Sequence, residues 1–258
     1  MIREIRVPFK RLEVRSRYTA GMRIMVLQAR HIDDPMLEHE LQCFVAATGF
    51  DRATFDWRNV VEGVPALAEV RAADALLIGG SGRFSVAHPS EDFFSPLEEL
   101  LRGVVDADCP TFGSCFGYQL LVSALGGRVA HDEDRGEVGS FEVELTTRGR
   151  ADELFGTLPA RFVAQMGHLD RAVRLPAGVH NLARSELCPY QALRVDDRRI
   201  WAAQFHPELD RAANLHRYRA YIERYEPSGG EGEVNSLPSP EASRLLPRFL
   251  ELVDGDQG

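Results

Sequence analysis

The run Thr111-Phe112-Gly113-Ser114-Cys115-Phe116-Gly117-Tyr118-Gln119 constrains the fold of this chain more than any other segment. Its centre has the pattern G-x-C-x-G, a sharp strand-to-helix turn in which small residues beside the cysteine let a crowded backbone bend and expose the sulfur. Such an elbow needs a strand before it and a helix after it. Pro110 closes the preceding segment, Thr111-Phe112 reads as a short buried strand, and residues 119–125 read as a helix stopped by Gly126-Gly127. Leu120, Leu121, Ala124 and Leu125 supply its buried face, and Gln119, four residues after Cys115, shares the cysteine's side. The first amides of a helix lack internal partners and the peptide dipoles align there, so negative charge on a sulfur is favoured at this point.

A second segment completes the chemistry. Residues 200–205 form a near-continuous apolar run, read as a buried strand bounded by the polar turn at 196–199. His206-Pro207-Glu208 follows directly. Alternate residues of an extended chain point to one side, so Glu208 is placed to fix the imidazole tautomer while the other ring nitrogen faces a nucleophile. Cys115, His206 and Glu208 are thus the candidate nucleophile, base and orienter.

With both halves in view, the chain resembles the class I (triad) glutamine amidotransferases, whose signature is a G-x-C-x-G-x-Q elbow followed far downstream by His-x-Glu. The resemblance covers roughly residues 22–225, and lies nearest to stand-alone domains similar to the amidotransferase part of guanosine monophosphate synthase. It implies a flavodoxin-like three-layer α/β fold, a mainly parallel mixed sheet flanked by helices with a small antiparallel extension. Residues 75–78 are an apolar strand ending in Gly79-Gly80-Ser81-Gly82, where missing side chains let backbone amides approach a ligand. By resemblance, the amides of Gly80 and Phe116 form an oxyanion hole, each donor of this kind being worth about 2.7–4 kcal/mol in the transition state. Gly82, Gln119, Gly167 and His168 are the implied substrate contacts, the last two because Met166-Gly167-His168-Leu169-Asp170 resembles the family's Met-Ser-His-Gly-Asp loop.

The implied reaction is hydrolysis of the glutamine side-chain amide through a γ-glutamyl thioester on Cys115, with ammonia supplied to a separate synthetase. Phe116 and Tyr118 stand where the family commonly has Leu and often His, Gly-Gly-Ser replaces Gly-Gly-Pro, and Leu169 replaces a loop glycine. Backbone donors survive such changes; pocket shape does not have to. A stand-alone hydrolase or peptidase acting on a γ-glutamyl conjugate, or a non-catalytic regulatory homologue, are the alternative readings.

The remaining residues set bounds. At 258 residues and 44% hydrophobic content the chain suits one large domain with a sizeable core. Its net charge of −9 disfavours a nucleic-acid surface. No apolar run approaches the roughly 18 residues of a membrane span, and residues 1–21 lack a signal-peptide core, so a cytoplasmic protein without a membrane partner is expected. The four cysteines, Cys43, Cys109, Cys115 and Cys188, show no C-x-x-C spacing, and Gly79–Gly82 lacks the Lys-Ser/Thr ending of a phosphate loop. Neither a metal nor a cofactor is indicated; the expected partners are glutamine or a γ-glutamyl small molecule and a synthetase subunit.

Strand and helix patterns alternate through the first half: strands at 23–28, 53–57 and 75–78, helices at 35–48 and 92–105. Shorter alternating runs at 140–146, 160–166 and 191–195 predict the antiparallel extension. One helix is expected through Leu215, Tyr218, Ile222 and Tyr225. The expected divisions are an N-terminal extension (1–21), the amidotransferase-like domain (22–226), a linker (227–240) and a helical tail (241–258) carrying Leu245, Leu246, Phe249 and Val253.

Overall fold

The computed structural model describes residues 21–225 and 234–255. In chain order the elements are β1 (Ile24–Ala29), α1 (Leu37–Thr48), β2 (Phe55–Asn59), α2 (Leu67–Val70), β3 (Ala75–Ser81), α3 (Phe94–Asp106), β4 (Thr111–Ser114) and α4 (Phe116–Ala124). There follow β5 (Arg128–His131), β6 (Glu137–Leu145), α5 (Thr147–Ala151), β7 (Arg161–His168), β8 (Asp170–Arg174), β9 (Val179–Arg184), β10 (Ala192–Val195) and β11 (Ile200–Ala203). Helices α6 (Arg211–Ala220), α7 (Ile222–Tyr225) and α8 (Leu245–Gly255) close the series.

Because side chains alternate along a strand, β1 sends Ile24 and Val26 into one core and Met25 and Leu27 into another. The first core is filled by Phe44 of α1 and Phe249 of α8, the second by Leu97 and Leu101 of α3 and Leu120 of α4. Apolar residues on both faces of a strand require cover on both faces, and this produces the three-layer α/β architecture that the sequence predicts.

The main sheet has nine strands in the order β2-β1-β3-β4-β11-β10-β9-β6-β7, and β5 pairs with β8 in a separate two-stranded sheet. Strands β2, β1, β3, β4 and β11 run parallel. The pairings β11-β10, β10-β9, β9-β6 and β6-β7 are antiparallel, so most of the predicted extension continues the main sheet. The carboxyl ends of β3, β4 and β11 lie side by side, where ligands bind in open α/β sheets.

Two local features depart from the sequence pattern. Gly79 and Gly80 lie within β3, and the register against β1 shifts between Leu27 and Ala29, which marks a bulge at the glycines. The single helix expected after His206 divides at Tyr221, whose φ of −120° and ψ of 22° leave the helical region. The Tyr221 hydroxyl is anchored on Asp34, 2.6 Å from Oδ1, and receives a hydrogen bond from Arg30.

The N-terminal extension up to residue 20, residues 226–233 of the linker and residues 256–258 lie outside the described residues. Residues 234–239 run along β6. Asn235 exchanges backbone and amide hydrogen bonds with Ser140, and the Leu237 carbonyl accepts from Gln165 Nε2 at 2.8 Å. Helix α8 then buries Leu245, Leu246, Phe249 and Leu250 completely, with the Phe249 ring 5.9 Å from Phe112 and 6.1 Å from Trp201. Among the described residues no helix is long and apolar enough to cross a membrane.

Candidate active site

One residue separates β4 from α4. Cys115 takes φ 50° and ψ −95°, a conformation that costs a non-glycine residue about 1–3 kcal/mol and persists only where its surroundings enforce it. Here the Cys115 amide donates to Ala203 of β11 at 2.8 Å, and the Cys115 carbonyl accepts the first helical bond from Gln119 at 3.0 Å. The flanking glycines are required by packing. A Cβ on Gly117 would lie 2.7 Å from Ile78 Cβ, and one on Gly113 would lie 2.8 Å from the Gly117 carbonyl carbon.

Parallel pairing of β11 with β4, Ala203 against Ser114, carries the chain after β11 to the same edge. His206 is fixed there by its amide, which donates to Gln165 at 2.9 Å. Its Nδ1 lies 2.7 Å from Glu208 Oε1, so the ring proton on Nδ1 is donated to the carboxylate and Nε2 remains for the Cys115 sulfur. The Gln204 amide lies 3.7 Å from the same sulfur. All three side chains are buried.

Burial opposes charge on His206, but the charges of Glu208 and Cys115 and the hydrogen bond to Glu208 outweigh it, and its pKa is raised to about 9. Burial likewise opposes ionisation of Glu208; His206 and then Arg217 overcome it and push the carboxyl down to about 2. Burial pushes the thiols of Cys43 and Cys188 up to about 12.

The implied oxyanion donors meet different surroundings. Phe116 opens α4 beside the sulfur. Gly80 abuts the imidazole, since a Cβ there would lie 3.0 Å from His206 Cε1, but its amide donates to Glu40 Oε1 at 2.9 Å. A narrow pocket over the sulfur is lined by Cys115, Phe116, Gln119, Gly167, His168 and Tyr225, with Ser81 and Asp170 at its wall. Gln119 Nε2 donates to the Asp170 carbonyl at 2.7 Å, and the Tyr225 hydroxyl donates to the Gly167 carbonyl at 3.1 Å. His168 Nε2 lies 3.1 Å from buried Glu137 Oε2. Asp170 accepts from Ser85 and the Ala87 amide and pairs with His131 at 2.8 Å, which braces the loop. Gly82 sits against Tyr221, whose hydroxyl a Cβ at that position would overlap.

Three contributors escape sequence reasoning: Glu40 of α1, Arg217 of α6 and Tyr225 as a pocket wall. Glu40 carried a signal, being a charged residue on the face that also presents Leu41 and Phe44 to the core. Arg217 carried no such signal, since the buried side of α6 is formed by Asn214, Arg217 and Tyr218. Among the described residues no group of three or more His, Cys, Asp or Glu side chains is placed to hold a metal, and the four cysteines are unpaired with one another.

Residues 39–219 match the model of the family described as glutamine amidotransferase class-I. One subunit of the glutamine-hydrolysing GMP synthase of Archaeoglobus fulgidus is 29% identical over 166 residues, which cover 64% of this chain and 83% of that protein. The corresponding subunit of the Pyrococcus abyssi synthase is 32% identical over 136 residues, covering 53% of this chain and 70% of the relative. A glutamine amidotransferase from Thermotoga maritima shares the fold with a TM-score of 0.64 at 19% identity, over 91% of this chain and 94% of that one.

Proposed function

As this chain belongs to the class-I glutamine amidotransferase family, we propose that it hydrolyses the side-chain amide of glutamine through a γ-glutamyl thioester on Cys115 and passes ammonia to a separate synthetase. The observation that carries this reading is the convergence of a strained cysteine elbow with the buried, hydrogen-bonded His206–Glu208 pair. The archaeal relatives are each named as one subunit of a synthase, which supports a receiver on a separate polypeptide.

In the proposed sequence the sulfur of Cys115 attacks the amide carbon. The oxyanion is held by the Phe116 amide at the helix start, the Gly80 amide being engaged by Glu40. His206, charged in the resting site, protonates the departing ammonia, then takes a proton from water as that water attacks the thioester; the sulfur leaves and glutamate is released. Glu208 stays ionised and holds the ring's orientation throughout. Gln119, Gly167 and His168 contact the amino-acid end of the substrate, a reading supported by their position with Cys115 in the lining of one pocket. An unpaired nucleophilic cysteine suits a reducing, cytoplasmic setting.

The test is ammonia and glutamate release from glutamine by the wild-type chain and Cys115→Ala, with mass spectrometric mapping of a diazoketone glutamine analogue. The expected results are adduct formation at Cys115 alone and loss of turnover in a folded variant. Turnover by Cys115→Ala near the wild-type rate, or labelling elsewhere, overturns the proposal; hydrolysis of a conjugate with none of glutamine redirects it to a γ-glutamyl hydrolase.

A further inference from the structure

Beneath His206 and Glu208 lies a second layer of buried charge that the triad chemistry leaves unused. Arg217 is 5% exposed. Its Nη1 lies 3.6 Å from Glu208 Oε1 and 3.3 Å from His206 Nδ1, and its Nη2 lies 3.8 Å from Glu40 Oε1. Neither Nε nor Nη2 has a hydrogen-bond partner among the described residues, and Glu208 Oε2 has none either. A buried guanidinium normally uses its fork of donors fully. This one leaves two of its three nitrogens without hydrogen bonds and sits between two carboxylates, so its contribution there is charge.

Glu40 closes the arrangement. It is wholly buried, Arg30 Nε holds its Oε2 at 2.9 Å, and its Oε1 accepts the Gly80 amide at 2.9 Å. Through Arg217 it faces the carboxylate that orients His206; through Gly80 it holds the strand end on which the imidazole rests.

We propose that Glu40 and Arg217 are positioning residues for the Cys115–His206–Glu208 site: Arg217, clamped by Glu40, keeps the Glu208 carboxylate charged and seated on His206, while Glu40 fixes the Gly80 peptide against the ring. This rests on the reading of that site as a cysteine amide hydrolase. Removal of one partner from a buried ion pair leaves the other uncompensated, so neither residue acts alone.

The groups facing this layer come from every neighbouring element. Helix α1 presents His39, Glu40 and Cys43; Arg30 follows β1; Asp34 and Tyr221 lie beyond it; Asp210 caps α6, which carries His216; and Cys115, His206 and Glu208 lie above. Burial, then Arg217, brings His39 down to about 4, and burial pushes Cys43 up to about 12 and Tyr221 above the ordinary phenol range. These three therefore hold one charge state from pH 5 to 9. His216, exposed at 4.9 Å from His39, is controlled for by His216→Gln.

The experiment measures the rate of Cys115 alkylation by iodoacetamide against pH, located by peptide mapping, in the full chain and in Arg217→Met, Arg217→Lys and Glu40→Gln. A cation removed from the layer raises the midpoint for sulfur reactivity, and a carboxylate removed lowers it. Arg217→Met is expected to move the midpoint up by about one pH unit, Arg217→Lys to restore most of that shift, and Glu40→Gln, which retains an acceptor for Gly80, to move it down. Unchanged midpoints, or shifts of the same sign in Arg217→Met and Glu40→Gln, overturn the proposal. If Arg217→Met does not fold, the downward shift in Glu40→Gln decides alone. Alkylation needs no substrate: shifted midpoints without ammonia release from glutamine refute the proposed function and leave the positioning layer standing, and glutamine turnover with unshifted midpoints does the reverse.

Discussion

Alanine at Gly117 sets two effects of opposite sign against each other. In a helix interior, alanine is better than glycine by about 1 kcal/mol. At this position the new Cβ meets Ile78 Cβ at 2.7 Å, the Ile78 carbonyl oxygen at 2.8 Å and Cγ2 at 2.9 Å, against ordinary contacts of about 3.5–4.0 Å. Ile78 cannot yield, because its strand pairs with Leu27 of β1 on one side and Gly113 of β4 on the other. Helix α4 must therefore retreat by about 1 Å, the deficit in those contacts. Overpacking of this kind costs about 1–3 kcal/mol, so the net destabilisation after the helical gain is up to about 2 kcal/mol. For a domain of this size about 2 kcal/mol lowers Tm by about 4–8 °C, which is the upper bound. The larger effect is on rate: Cys115 moves with the helix while His206 stays with β11, and a misplacement of about 1 Å costs about 100-fold in kcat. Thermal melting and glutamine turnover of Gly117→Ala check both. A raised Tm with unchanged kcat means that propensity outweighs packing, and refutes the account of why glycine flanks the cysteine.

Other outcomes follow from the same geometry. His206 is the proposed proton donor and its pKa is raised to about 9, so it is charged below that pH and loses its proton above it; kcat/KM is expected to fall as pH rises through about 9. Glu208→Gln removes the strongest influence that raises this pKa, so the alkaline limb should move to lower pH and kcat should fall about 100- to 10,000-fold; a pH profile with the limb unmoved contradicts the assignment. Phe249→Ala removes a fully buried ring packed on Phe112 and Trp201, and should cost about 3–5 kcal/mol in denaturant unfolding. A loss below about 1 kcal/mol, the scale of an ordinary surface substitution, would mean that α8 is an appendage of the domain.

The core of the site was legible in the sequence because its geometry is local. G-x-C-x-G specifies a turn whose crowding only glycine relieves, and His-Pro-Glu following an apolar strand sets base and carboxylate on one side of the chain. The parallel half of the sheet was legible for a related reason: Ile24–Ala29 and Ala75–Ser81 are apolar on both faces, and only a covered sheet accommodates such strands. Strands β5, β8 and β9 were not: β5 and β9 are largely exposed or half-buried, and β8 buries the charged Asp170 and Arg171, so none shows a clean apolar period. The helix break at Tyr221 was invisible for a different reason. Spacings of three and four continue through it, and the break is associated with a hydroxyl anchored on Asp34, distant in sequence.

Glu40 and Arg217 show where the limit lies and what crosses it. Glu40 is a charged residue on the apolar buried face of α1, which a sequence reader discounts because one such position costs less than the stripe around it gains, and Arg217 shares its buried face with the polar Asn214 and Tyr218. Neither helix alone supplies a counter-charge for its own residue at the site: Glu40 meets Arg30 from β1, and Arg217 meets Glu208 from beyond β11. An isolated buried charge carries a penalty of several kcal/mol, so its presence in a folded chain implies a partner elsewhere even before coordinates identify it. The rule this chain supports is directional. A polar residue on an otherwise apolar stripe predicts convergence with a complementary residue from another element, and when a nucleophile elbow is present in the same chain, the carboxyl ends of its neighbouring strands are where that convergence is to be sought.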